Sequence, residues 1–94
     1  KGINYTNDEK YISQCGLLFS NIASCYNNVG NIDTAFYFIN KALYYGHLNQ
    51  NFIVLTNGLN IRSDMYLNKG NIVAAENDLK AALEIRKKVF FKEV

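Results

Sequence analysis

The sequence predicts an all-α chain of two antiparallel helical hairpins packed side by side. Three observations predict it. The stretch Tyr26–Leu43 returns forty positions later as Tyr66–Leu83: Tyr26, Asn28, Gly30, Asn31, Ile32, Ala35, Ala42 and Leu43 are matched by Tyr66, Asn68, Gly70, Asn71, Ile72, Ala75, Ala82 and Leu83. A spacing held without a gap marks a repeated unit that buries its apolar face on its neighbour. The apolar residues follow the 3.6-residue period of a helix, with no stretch that alternates as a strand does. The chain also contains no Pro, which suits helix throughout.

The first helix is expected from about Asp8 to Asn28. Thr6 or Asn7 caps it, and Asp8 and Glu9 stand in the first turn, where the helix dipole favours acids. Its stripe is Tyr11, Cys15, Leu18, Phe19, Ile22, Cys25, Tyr26 and Val29. Gly30 stops it, because glycine takes the left-handed C′ conformation without penalty. Asn31 caps the second helix, from about Ile32 to Tyr45, with Ile32, Ala35, Phe36, Ile39, Ala42 and Leu43 inward. Gly46 is read as its end and His47-Leu48-Asn49 as a link, short enough to make neighbouring helices antiparallel. The third helix runs from about Gln50 to Asn68, with Phe52, Leu55, Leu59, Met65 and Tyr66 inward. Gly58 inside it costs about 1 kcal/mol against alanine, so a close helix–helix approach is expected there. Gly70 stops this helix, and Asn71 caps the fourth, from about Ile72 to Phe91, with Ala75, Leu79, Ala82, Leu83, Arg86 and Phe90 on its stripe.

A length of 94 residues permits one domain, with repeat 1 over about 8–47 and repeat 2 over about 48–91. Because it begins with Lys1 rather than Met, the chain is expected to be a piece of a longer protein. Hydrophobic residues at 49 % and charged residues at 19 % indicate a packed core rather than disorder. A net charge of +2 is too small to argue for nucleic acid or an anionic membrane, and neither partner is expected of this segment. A cytoplasmic setting is the working expectation. Cys15 and Cys25 lie ten residues apart in one helix. Such a spacing separates them by about 15 Å, beyond the ~7 Å reach of a disulfide, and they read as small buried hydrophobes.

In this register the chain resembles the tetratricopeptide repeat (TPR) family over about residues 10–90. The resemblance rests on Phe19, Ala23 and Tyr26 in the first unit and Leu59, Ser63 and Tyr66 in the second. Gly30 and Gly70 follow four residues after the aromatic, and the second helices carry Ala35, Ile39, Ala42 and Ala75, Leu79, Ala82. It departs from the family in lacking the helix-ending Pro, near whose place His47 and Lys87 stand, and in a repeat of 40 residues; the usual period is about 34. In its longer period it is similar to the extended repeats of bacterial sensor and regulator proteins, and the segment 82–90 to repeats of the kinesin light-chain type. Arg62 stands where the family has an apolar residue, and reads as a solvent-reaching or charge-paired spot.

The resemblance implies a TPR-like α-α superhelix, or solenoid, that binds protein or peptide, as the sensory or interaction region of a larger bacterial protein. Ligands of the family lie on the face lined by the first helix of each unit. The matching positions are Leu17, Ser20, Ser24, Asn27 and Asn28, then Asn57, Asn60, Asp64, Leu67 and Asn68. This face is rich in carboxamides, which both donate to and accept from a peptide backbone. Ser20 and Asn60 stand where family members that clamp a C-terminal carboxylate have lysine, so that ligand is not expected.

No catalytic, cofactor-binding or metal site is expected. His47 is the sole histidine and sits in a turn, and no Gly-rich phosphate loop or CxxC is present. Tyr37, Phe38, Tyr44 and Tyr45 exceed what one helix stripe buries, as do Val89, Phe90, Phe91 and Val94. These last four are candidates for self-association or for contact with further repeats in a parent chain. Two other functions remain open: an oligomerisation module without a separate ligand, and the ligand-sensing region of a transcriptional regulator.

Overall fold

The structure, a computed structural model, describes the backbone of residues 5–93 and the side chains of residues 11 and 13–90. Four helices account for almost all of it: α1 (Tyr5–Asn28), α2 (Ile32–Leu48), α3 (Phe52–Asn68) and α4 (Ile72–Glu93). No strand occurs among the described residues.

The three turns are built alike and recur every twenty residues. The N–H groups of Asn31, Asn51 and Asn71 donate to the carbonyls of Tyr26, Gly46 and Tyr66, at 2.9, 2.9 and 2.8 Å. This bond satisfies a carbonyl that the helix end leaves without a partner. The same three asparagines then cap the next helix: their Oδ1 atoms accept from the N–H of Thr34, Val54 and Ala74 at 3.4, 3.0 and 3.2 Å. The residue before each cap is left-handed, with φ of +87° at Gly30, +47° at Gln50 and +82° at Gly70.

The middle turn corrects one expectation. Gly46 does not end α2; it is a buried residue inside the helix, which continues to Leu48. The stop is Gln50, which holds the left-handed position that glycine holds in the other two turns. Gly46 serves packing instead. A Cβ there would lie 2.9 Å from Leu55 Cδ2 and 3.1 Å from Val54 Cγ1. Gly16 and Gly58 have the same function: a Cβ would meet Val54 Cγ1 at 2.8 Å in the first case and Leu43 Cδ2 at 2.8 Å in the second.

Neighbouring helices pack in sequence, and α1 also touches α3, whereas among the described residues α4 touches only α3. The molecule is flat, 47 × 34 × 14 Å. Its thinnest dimension matches two helix layers about 8–10 Å apart with backbone radii of about 2.3 Å. One core cluster joins Ala23, Ala35, Ile39, Ala42 and Met65, and a second joins Leu43, Leu55, Leu59 and Ala82. Val54 is fully buried between Gly16 and Gly46 and is a core residue that the stripe of α3 had not included.

The outward helices hold the other corrections. Leu79, Leu83, Arg86 and Phe90 of the α4 stripe are exposed, as is Phe52 at the start of α3. On α1, Tyr11, Leu18, Cys25 and Tyr26 are exposed, as is Val29 just beyond its end, and Cys15 is half-buried. Exposure here follows cover: a stripe position is buried only where a neighbouring helix reaches over it. Cys25 shows it by comparison with its equivalent forty residues on, Met65, which is completely buried in the core cluster that contains Ala35 and Ile39 of α2.

Candidate polypeptide-binding surfaces

The amide-rich face lies on α1 and α3, which run side by side. Leu17 and Asn28 on α1, and Asp64, Leu67 and Asn68 on α3, are exposed; Ser24, Asn27, Asn57 and Asn60 are half-buried. Asn68 Nδ2 donates to Asn27 Oδ1 at 3.2 Å, so one amide pair bridges the two helices. Ser20 does not belong to the accessible face. It is fully buried, and its hydroxyl donates back to the Gly16 carbonyl at 3.1 Å. Its equivalent on α3, Asn60, stays partly open.

A second surface is aromatic and runs along the α1/α2 hairpin. Tyr45 stacks on Phe19, Phe19 on Phe38, and Phe38 on Tyr26, with ring centroids 5.7, 5.9 and 5.9 Å apart. Phe38 and Tyr45 are thus half-buried within their own hairpin, whereas Tyr37 and Tyr44 stay exposed beside them. Lys41 Nζ lies 5.7 Å from the Phe19 ring and 5.5 Å from Tyr37. The aromatic excess on the second helix is therefore partly structural.

The third surface is an apolar groove of about 450 Å³ between the start of α3 and the end of α4. Phe52, Ile53 and Thr56 form one wall, and Ile85, Arg86, Val89 and Phe90 the other. Its counterpart in the first unit is filled. There Val54 and Leu55 press against Gly16 of α1 and Gly46 of α2, which are the equivalents of Thr56 and Arg86. Of the four residues named for self-association, Val89 is half-buried and Phe90 exposed; the side chain of Phe91 and the whole of Val94 lie outside what the structure describes.

The same inequality runs along the second helix of each unit. Ile39 and Leu43 of α2 are 0 % and 6 % exposed, whereas their equivalents on α4, Leu79 and Leu83, are 46 % and 52 % exposed. Side chains of the same type and register are buried where α3 covers them and open where, among the described residues, no helix lies over them.

Among the described residues, Arg62 and Asp78 form an ion pair. Arg62 Nε and Nη2 donate to the two carboxylate oxygens of Asp78 at 2.9 Å each, and Nη1 donates to Asn40 Oδ1 at 2.9 Å. The hydrogen bonds to Asp78 raise the guanidinium further above its ordinary range, against the opposing effect of burial. Arg62 is therefore the charge-paired spot that its unusual place implied; Asp78, its partner, carried no signal in the sequence.

No group of three potential metal ligands comes together among the described residues, and none of their helices is long and apolar enough to cross a membrane. Comparison of the chain with known protein families, with curated proteins and with solved structures finds no match.

Proposed function

We propose that this chain is a polypeptide-binding module: a TPR-like stack of two helical hairpins that holds an extended peptide along α1 and α3. The observation that carries the reading is the row of amides and hydroxyls on those two helices. Ser24, Asn28, Asn57, Asn60 and Asn68 remain accessible on them, and the Asn27–Asn68 pair joins one helix to the other. Such groups match the alternating donors and acceptors of an extended backbone, and the exposed Leu17 and Leu67 offer apolar contact for its side chains. Among the described residues named for this face none is a cation that would select a carboxylate, so recognition rests on backbone hydrogen bonds rather than charge.

A peptide array probed with the labelled chain tests this reading. Ligands found there are titrated against the parent and against the triple variant Asn28→Ala, Asn60→Ala, Asn68→Ala. Each lost amide contact costs about 0.5–1.5 kcal/mol, so the triple variant is expected to bind at least about tenfold more weakly while staying folded. Ligands that bind both proteins equally would remove the site from this face.

A further inference from the structure

The outer side of α4 carries a stripe that is complementary to itself. At 100° per residue, Ile72, Glu76, Leu79, Leu83, Arg86 and Phe90 fall within an arc of about 80°. All six are exposed, Arg86 and Phe90 at the rim of the groove with α3, whereas Ala75, Asp78 and Ala82 are buried. The six are placed symmetrically about Ala81. Read forwards they run Ile, Glu, Leu, Leu, Arg, Phe; read backwards, each residue meets a suitable partner.

We propose that a second copy of the chain docks on this stripe, its α4 antiparallel to the first, in a closed two-fold dimer. Leu79 then lies opposite Leu83 of the second copy, Ile72 opposite Phe90, and Glu76 opposite Arg86. Each contact occurs twice, as a two-fold axis requires. The stripe from Ile72 to Phe90 spans about 27 Å of helix, enough for six layers of facing side chains. A parallel arrangement would set Glu76 against Glu76 and Arg86 against Arg86, and like charges in facing positions are unfavourable.

Head-to-tail stacking of α4 on α1 fits less well, for a reason visible inside the chain. Where α2 packs on α3, Leu43 reaches the space that Gly58 leaves open. The residue of α1 equivalent to Gly58 is the exposed Leu18, whose side chain would occupy that space. The equivalent of Leu43, Leu83, therefore has no opening to enter on α1. An open chain of copies is disfavoured relative to the closed pair.

Sedimentation equilibrium of the 94-residue chain over micromolar concentrations tests the proposal. The parent is expected to dimerise. Glu76→Arg and Arg86→Glu each replace two favourable charge contacts by two like-charge ones, and each is expected to weaken the dimer about tenfold or more. The doubly exchanged variant, Glu76→Arg with Arg86→Glu, restores the dimer. So does an equimolar mixture of the two single variants, because opposite charges then face each other across the heterodimer. Circular dichroism confirms that each variant keeps its helices, since both sites are exposed. A parent that stays monomeric overturns the proposal. A dimer indifferent to the single changes, or one that neither the double exchange nor the mixture restores, overturns it equally.

Discussion

Arg62 and Asp78 occupy the places that Ile22 and Phe38 hold in the first hairpin. One unit is thus closed by apolar and aromatic packing, and the other by an ion pair. The two partners differ in cover: the side chain of Arg62 is 25 % exposed and that of Asp78 only 9 %. Removing the more accessible partner therefore does more harm, because it strands a carboxylate in the core. Arg62→Ala is expected to cost about 3 kcal/mol, and Asp78→Ala about 1–2 kcal/mol, since the guanidinium left behind turns to water. Denaturant titration of both variants measures this; equal losses would mean that Asp78 is hydrated. The pH dependence of Arg62 follows the sign of its shift. A raised value keeps its contribution at neutral pH, and the contribution is lost only as strongly alkaline pH passes through the folded value. At this scale the sequence was half legible. Arg62 broke an apolar pattern and was visible for that reason, whereas Asp78 sat among charges on an outwardly ordinary helix, and its burial depends on how α4 is rotated against α3.

The helices and turns were more legible, because turn chemistry is local. Gly30-Asn31 and Gly70-Asn71 are stop-and-cap pairs, and both glycines have positive φ with nothing within 4 Å of an added Cβ. Gly30→Val and Gly70→Val are expected to cost about 1–2 kcal/mol each through backbone strain alone, which thermal melts check. Gln50 is the third member of the set and carries a side chain at a left-handed position. Gln50→Gly is expected to stabilise by about 0.5–1 kcal/mol, and a loss of stability would show that the side chain contributes more than the strain costs. Gly46 departs from the stop that its place near a helix end suggests, for a physical reason. A glycine near a helix end reads as a stop, and its second use, admitting Val54 and Leu55 from another helix, becomes visible only in three dimensions. Small residues inside helices are of the same kind. Ala35 and Ala75 are buried and Ala74 only half-buried, so Ala35→Leu or Ala75→Leu should cost about 1–3 kcal/mol and Ala74→Leu much less. Equal costs at positions 74 and 75 would contradict the register of α4.

At the scale of the molecule, two units of similar construction differ in what covers them. Ile39 and Leu43 lie beneath α3, while Leu79 and Leu83 lie open. Ser20 is fully buried, while Asn60 stays partly open. The forty-residue repeat was evident in the sequence, but which copy of each residue would be buried was not. Periodicity names a stripe without saying whether a neighbour meets it. Cover also governs local stability, because helices with few buried apolar contacts open at lower free energy than those held on both sides. Hydrogen exchange measured helix by helix, at concentrations from well below to well above dimer formation, tests the account most directly. It predicts that α2 exchanges slowly and equally at all concentrations, while α4 exchanges faster than α2 when dilute and gains protection as the second copy docks. An α4 protected as strongly as α2 in the dilute chain, with no change on concentration, would contradict it.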